Sequence, residues 1–103
     1  MKFDDLIKAF RNARYRITDH AVEEAYSDDL NFDNILESIC NGEVIEDYPD
    51  DRPFPSCLVL GYYENNKPVH CVIGFNNENK WAVIITVYRP DLERWIDNKI
   101  RRR

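Results

Sequence analysis

The two histidines of the chain, His20 and His70, are candidates for acid and base chemistry. A neutral imidazole can take a proton from a hydroxyl nucleophile, and its protonated form can stabilise a leaving group, because its ordinary pKa lies close to neutrality. Two histidines therefore suit a paired acid and base. Each also has a plainer interpretation, since His20 is an ordinary polar residue for the first turn of a helix and His70 is typical of a hydrogen-bonded core histidine.

Two hydroxyl side chains, Thr86 and Tyr88, close an apolar strand-like run. Polar groups at the end of such a run lie at a sheet edge, where they can meet a ligand. Because side chains alternate along a strand, we expect Thr86 and Tyr88 to share one face with Ala82 and Ile84. If neighbouring strands pair as a hairpin, His70 lies near Thr86 or Tyr88.

Four further residues are candidates for substrate binding. Arg16 and Arg89 can offset the charge of a phosphate, and Arg89 can equally pair with a nearby acid. Asp47 and Tyr48 open a proline-rich loop, where they can position a substrate or support a histidine. An Asp-Tyr pair at the start of a loop is also common without any function.

Helical spacing of apolar residues predicts three helices before residue 42. The first carries Phe3 and has two aspartates in its first turn, where the helix dipole favours acids. Thr18 offers an N-cap for the second helix, and Asn31 or Asp33 offers one for the third. Gly42 fits the left-handed position just past the third helix.

After residue 42 the pattern becomes strand-like. We predict strands over Ser56–Tyr63, Pro68–Phe75 and Trp81–Tyr88, and the short turns between them predict consecutive antiparallel hairpins. A last short helix, Pro90–Ile100, can lay its apolar side chains on the sheet. The chain is therefore predicted to be one α+β domain over residues 1–103, with N-terminal helices packed on a small antiparallel sheet and a short C-terminal helix.

Composition limits the functions open to the chain. With 103 residues, of which 44% are hydrophobic, it is large enough for one core and too small for two. No stretch approaches the roughly 20 apolar residues of a membrane span, and the acidic N-terminus does not fit a signal peptide, so we expect a cytoplasmic protein with no membrane partner. The three cysteines are widely spaced, which suits reduced thiols and predicts no metal site.

Charge is the feature that argues most against a nucleic-acid ligand. The net charge is −5, whereas phosphate binding draws on clustered lysine and arginine. A local basic face, built from Arg16, Arg89 and a tail containing Lys99 and Arg101–Arg103, can still coexist with an acidic opposite side. The plainer interpretation of the charge clusters is solvated surface and a frayed tail.

Several short motifs, in the same order along the chain, resemble the bacterial domain of unknown function 4258 family from about Tyr15 to Arg102. They are His20-Ala21, Asn41-Gly42-Glu43-Val44-Ile45, Asp47-Tyr48-Pro49-Asp50-Asp51, Pro53-Phe54-Pro55-Ser56-Cys57-Leu58-Val59-Leu60-Gly61, Pro68-Val69-His70, and Thr86-Val87-Tyr88-Arg89-Pro90-Asp91 with Trp95. One segment departs from the pattern, because the helix after His20 is acidic where similar proteins tend to carry arginines.

This resemblance implies a RelE-like fold and the ribonuclease toxin of a type II toxin-antitoxin pair. On that analogy the catalytic candidates are His20, His70, Thr86 and Tyr88, and the substrate-binding candidates are Asp47, Tyr48, Arg16 and Arg89. The implied partners are RNA, including mRNA on the ribosome, and a cognate antitoxin protein, which in similar systems often carries a zinc finger.

Two hypotheses follow for function. The first is metal-independent RNA cleavage without a cofactor, in which one histidine deprotonates the ribose 2′-hydroxyl and the other histidine or Tyr88 protonates the leaving oxygen. The second is a non-catalytic module that docks a protein partner through its acidic surface or an edge strand. A small-molecule hydrolase is weaker, because the sequence has no nucleophile elbow, metal signature or phosphate loop.

Overall fold

The three N-terminal helices begin where the sequence supplies a cap. In the computed structural model, which describes residues 2–102, the helices are α1 (Phe3–Arg11), α2 (Asp19–Ser27) and α3 (Phe32–Cys40). The Thr18 hydroxyl accepts the Ala21 N–H at the start of α2, and Asn31 and Asn34 form a reciprocal capping box at the start of α3. The predicted cap of α2 is therefore confirmed, and Asn31 rather than Asp33 caps α3.

A five-stranded sheet follows, with strand order β1-β5-β4-β3-β2. Its strands are β1 (Tyr15–Ile17), β2 (Glu43–Tyr48), β3 (Ser56–Tyr63), β4 (Lys67–Asn76) and β5 (Trp81–Tyr88). The two predicted hairpins, β3–β4 and β4–β5, are confirmed as antiparallel pairs. The chain thus has the predicted α+β class.

The sheet is mixed rather than wholly antiparallel, because β1 pairs with β5 in the parallel direction. The three residues of β1 are too few to show a period in the sequence. The parallel pairing ends at Ile17, and the backbone N–H of Thr18 then donates to the carbonyl of Ile84 as the chain turns into α2. Strand β1 therefore fixes the start of α2 beside β5.

One face of the sheet packs against the helices and forms the main core. Helix residues Leu6 and Ile39 and strand residues Ile73, Ile84 and Val87 belong to this core. The opposite face carries a cross-strand row in which Leu60, His70 and Tyr88 are direct partners. The sheet therefore separates the helix side from the side that holds His70.

The prediction that Thr86 and Tyr88 share a face with Ala82 and Ile84 is wrong. The pairing of β4 with β5 shifts at Val72, so that one extra residue of β5 is accommodated before Thr86. Ala82 and Ile84 lie in the helix-side core together with Val87. The shift therefore places Thr86 and Tyr88 on the face of His70.

The predicted C-terminal helix over Pro90–Ile100 is also wrong. Residues 95–101 form a small hairpin of β6 (Trp95–Ile96) and β7 (Ile100–Arg101). Asp97 and Asn98 both have positive φ, 52° and 64°, as a tight hairpin turn requires. The buried Trp95 packs edge-on against His70 with ring centroids 4.4 Å apart, so the hairpin covers part of the sheet face opposite the helices.

Close packing explains two glycines. Gly42 has no positive φ, contrary to the prediction, and a Cβ there would come within 2.6 Å of Val59. At Gly61 a Cβ would lie 1.9 Å from the carbonyl oxygen of Ser38. The absence of a side chain at these positions lets α3 and the turn after it lie directly on β3.

Candidate functional site

The imidazole of His70 is fully buried and uses both ring nitrogens. Its Nε2 lies 2.6 Å from the backbone oxygen of Asn98, and its Nδ1 lies 3.1 Å from the Tyr88 hydroxyl. A carbonyl oxygen can only accept, so Nε2 carries the hydrogen and Nδ1 accepts the Tyr88 O–H. His70 is therefore a hydrogen-bonded core histidine that orients Tyr88.

Burial disfavours the charged forms of both rings. It lowers the pKa of His70 below its ordinary value, although the hydrogen bond to Asn98 and the nearby Glu46 partly oppose the shift. Burial also raises the pKa of Tyr88. A neutral His70 and a protonated Tyr88 are thus the pair that this environment favours at neutral pH.

A polar cluster beside His70 holds the C-terminal hairpin in place. Arg101 donates to both carboxylate oxygens of Glu46, at 2.9 and 3.4 Å, and its guanidinium lies 4.6 Å above the Trp95 ring. Tyr48 donates its hydroxyl to Glu46 as well. Arg101 lowers the pKa of Glu46, while burial and Glu46 raise that of Tyr48 to about 12.

The contact of Tyr48 with Glu46 was not predicted from the sequence. Tyr48 lies inside β2 rather than in a loop, and Glu46, two residues earlier, points to the same face. That spacing was the available signal for Glu46. Arg101 had none, because its position depends on the hairpin.

The other histidine, His20, is exposed and lies in the first turn of α2. Its Nε2 is 3.2 Å from a carboxylate oxygen of Glu24, one helical turn later. The same oxygen accepts the backbone N–H of Val87 at 3.1 Å, which fixes the carboxylate against β5. Because a carboxylate only accepts, Nε2–H is the donor and the Nδ1 of a neutral His20 is left as the acceptor. The spacing of four residues could have revealed Glu24 from the sequence.

His20 and Tyr88 line the same shallow depression, which we call the His20 cleft. Its volume is about 310 Å³, and its lining residues are His20, Glu23, Glu24, Ser27, Asp28 and Tyr88. Two of the four predicted catalytic residues therefore line this cleft, and a third, His70, contacts Tyr88. Three carboxylates surround them, so the cleft is acidic.

Arg89 lies in a different depression, lined by the C-terminal end of α2 and the residues that follow it. This larger cleft, about 570 Å³, is called the Lys67–Arg89 cleft and is lined by Tyr26, Asp29, Leu30, Asn31, Asn34, Tyr63, Glu64, Lys67 and Arg89. The Arg89 backbone N–H donates to Asp28 at 2.8 Å, and its guanidinium reaches the Asp29 carbonyl at 3.4 Å. Tyr88 and Arg89 are adjacent in sequence but line different clefts.

The remaining predicted site residues are dispersed. Asp47 lies in β2 and lines a small pocket with Phe3 and Leu6 on the helix side, opposite to Tyr48. Arg16 is exposed on β1, opposite Val83 in the ladder. Thr86 is half-buried opposite Val72, one row away from His70 and Tyr88. Arg103, the last residue of the predicted basic tail, lies outside the described residues.

Within residues 2–102, no three His, Cys, Asp or Glu side chains converge as metal ligands would. All three cysteines are free, with Cys40 exposed and the other two buried in β3 and β4. Burial raises the pKa of Cys57 to about 11 and that of Cys71 to about 12, so neither is a ready thiolate. None of the described helices has the length and apolar character needed to cross a membrane.

Comparison with known protein families gives a match over most of the chain. A model of a domain of unknown function (DUF4258) matches residues 17–89, which include α2, α3 and all of β2–β5. No curated protein and no solved structure matches the chain. The matched region contains His20, Glu24, His70 and Tyr88.

Proposed function

We propose that this chain, which belongs to the DUF4258 family, is a metal-independent endoribonuclease on a RelE-like scaffold that acts in the cytoplasm as the toxin of a type II toxin-antitoxin pair. The toxin role is supported by the sequence resemblance. The chemistry is supported by one observation, the exposed His20 imidazole held by Glu24 in a cleft that Tyr88 also lines. The proposed partners are RNA, including ribosome-bound mRNA, and a cognate antitoxin with a zinc finger.

His20 is the proposed general base. Its Nδ1 takes the proton of a ribose 2′-hydroxyl as O2′ forms a bond to the adjacent phosphorus. Glu24 accepts the Nε2–H and stabilises the imidazolium that results, and the Val87 N–H holds Glu24 in position. The arrangement needs the 2′-hydroxyl, so DNA is not a substrate.

Tyr88 is the proposed general acid. The bond from phosphorus to O5′ breaks as the Tyr88 O–H turns from His70 Nδ1 and gives its proton to O5′, which yields a 2′,3′-cyclic phosphate and a 5′-hydroxyl. The tyrosinate then takes a proton from water and the His20 imidazolium releases one, which restores both groups. His70 is a positioning residue in this scheme, because it is buried and reaches the substrate only through the Tyr88 hydroxyl. Arg16 is the proposed group that offsets phosphate charge; it is exposed on β1 outside the lining of the His20 cleft, so its side chain must extend toward the bound RNA.

The test is cleavage of single-stranded RNA by the purified protein in the presence of a chelator, with DNA of the same sequence alongside. We expect His20→Ala to slow cleavage about 100-fold or more, since general base catalysis contributes that much. Glu24→Gln keeps an acceptor for the Val87 N–H but loses the charge that stabilises the imidazolium, so it is also expected to slow cleavage. Glu23→Gln, on the same helix and in the same cleft, is the matched control and is expected to retain activity.

Cleavage that persists in His20→Ala, or that the chelator abolishes, would overturn this chemistry. Induced expression in a bacterial host gives the cellular counterpart, with growth arrest and loss of RNA integrity expected for the wild type and not for His20→Ala.

The second candidate function is a non-catalytic module that binds a protein partner. The observation in its favour is the acidic lining of the His20 cleft, where Glu23, Glu24 and Asp28 repel phosphate and attract a basic surface. This function predicts no RNA cleavage by wild type or variants. It also predicts that charge reversal at Glu23 weakens partner binding while His20→Ala leaves it unchanged.

A further inference from the structure

The Lys67–Arg89 cleft combines two cations with a buried aromatic ring. The Lys67 Nζ lies 5.8 Å and the Arg89 guanidinium carbon 6.0 Å from the centroid of the Tyr63 ring. Both side chains are exposed, so a ligand can reach them. Either cation can donate to an anionic group that enters the cleft.

Two amide side chains add neutral donors to the lining of this cleft. Asn31 and Asn34 line the cleft at the start of α3, and their side-chain oxygens are used in the capping box. Their NH₂ groups make no hydrogen bond among the described residues and remain as donors. The cleft thus offers ammonium, guanidinium and amide N–H groups together, which suits the oxygens of a phosphate.

A second observation is the unsatisfied hydroxyl of Tyr63. This residue is only 3% exposed and lines the cleft, yet its buried hydroxyl has no hydrogen-bond partner in the part of the chain that the structure describes. Buried hydroxyls are almost always paired in folded proteins. The hydroxyl is closed to solvent, so a ligand oxygen supplies the missing partner only if side chains at the cleft rearrange.

Charge in this cleft is balanced rather than positive. Asp29 and Glu64 also line it, and Glu64 lies 3.8 Å from Lys67. Binding there must therefore depend on specific donors more than on the general field. Glu64 also provides a test of the charge of the ligand, because removal of its negative charge should help an anion to bind.

The two clefts adjoin at the end of β5, where Tyr88 lines one and Arg89 the other. We propose that the Lys67–Arg89 cleft binds a phosphate of single-stranded RNA next to the phosphate cleaved in the His20 cleft, with a neighbouring base stacked on Tyr26. Tyr26 is 88% exposed and lines the cleft, as a stacking platform requires. This inference rests on the proposed ribonuclease function and identifies how its substrate is held.

The experiment measures binding of a labelled 2′-O-methyl RNA oligonucleotide, which cannot be cleaved through its 2′-oxygen, by fluorescence anisotropy at several salt concentrations. Lys67→Gln and Arg89→Gln are each expected to weaken binding about fivefold at 0.1 M salt and to reduce the slope of log affinity against log salt by about 0.7. Glu64→Gln is expected to tighten binding, and Tyr26→Ala to weaken it.

Two control variants carry the same changes of charge far from the cleft. The control variants are Lys80→Gln and Glu78→Gln. Both residues lie in the turn before β5, and the length of that strand puts Lys80 roughly 30 Å from Arg89. If the Lys67 and Lys80 variants weaken binding equally, only net charge matters and the subsite is wrong. Circular dichroism of each variant shows whether it is folded.

Failure of this inference is distinguishable from failure of the proposed function. RNA cleavage that depends on His20 but not on Lys67 or Arg89 refutes the subsite alone. Oligonucleotide binding that depends on Lys67 and Arg89, in a protein that cleaves no RNA, supports the subsite and refutes the catalytic role. Binding of an acidic peptide in place of the oligonucleotide, with the same dependence on Lys67 and Arg89, overturns the assignment to RNA.

Discussion

Replacing Tyr88 with phenylalanine removes the only hydrogen-bond donor to His70 Nδ1 in the described residues while keeping the ring that packs beside it. His70 is 0% exposed, so its Nδ1 takes no hydrogen bond from solvent while the Tyr88 ring stays in place. The Nε2–H remains bound to the Asn98 carbonyl, and the Nδ1 lone pair is left without a partner. An unsatisfied buried acceptor of this kind costs about 1–3 kcal/mol of the free energy of unfolding.

Tyr48→Phe is the matched control, because it removes a hydroxyl from a half-buried tyrosine on the same sheet face. Its partner, Glu46, keeps two contacts with Arg101, so we expect a loss of less than about 1 kcal/mol. Urea unfolding followed by tryptophan fluorescence at neutral pH measures both variants, and the buried Trp95 beside His70 reports on this region. NMR of the histidine ring nitrogens gives the tautomer.

The result that would refute the reasoning is a Tyr88→Phe variant as stable as the wild type, or one destabilised no more than Tyr48→Phe. A wild-type His70 with its hydrogen on Nδ1 would refute it too. Because Tyr88→Phe also removes the proposed general acid, its loss of RNA cleavage must exceed what the unfolded fraction explains.

Three other predictions concern stability and reactivity. Burial lowers the pKa of His70 below its ordinary 6.5, so the unfolded chain binds more protons than the native chain in mild acid. The contribution of neutral His70 to the free energy of unfolding is therefore complete above about pH 6.5 and decreases as the pH falls. The urea midpoint of His70→Gln should decrease less over the same pH range than that of the wild type. Gly61→Ala should cost several kcal/mol, as overpacking against the Ser38 backbone requires, whereas Gly74→Ala, whose nearest neighbour is a side-chain end 3.2 Å away, should cost far less in the same assay. A thiol reagent should modify Cys40 rapidly in the native protein, and the two buried cysteines only on unfolding.

The sequence could predict the elements whose signals are local. Strand β3 matches its predicted bounds, as does β5, because apolar runs between short polar turns leave few alternatives. The C-terminal segment was misjudged because Leu92, Trp95 and Ile96 have helical spacing, while the deciding feature is the Asp97-Asn98 turn at positive φ. The segment forms a hairpin rather than a helix because the hairpin buries Trp95 against the sheet.

The candidate site was predictable only where it depends on one strand pair. The hairpin of β4 and β5 implied that His70 approaches Tyr88 or Thr86, and the register selects Tyr88 as its direct partner. The bulge in that hairpin changes which face each side chain occupies, and nothing in the local pattern marks it. Whether His70 is buried depends on the C-terminal hairpin, which packs from beyond the matched region.

The acidic character of α2 has a consequence for protein engineering. Glu24 and Asp28 accept the backbone N–H groups of Val87 and Arg89, so these two acids seal the exposed margin of β5 beyond the short β1. A designer who wishes to make this helix basic therefore has unequal freedom along it. Exposed Glu23 can be exchanged for lysine, whereas lysine at position 24 or 28 would leave a strand margin open to pairing between molecules.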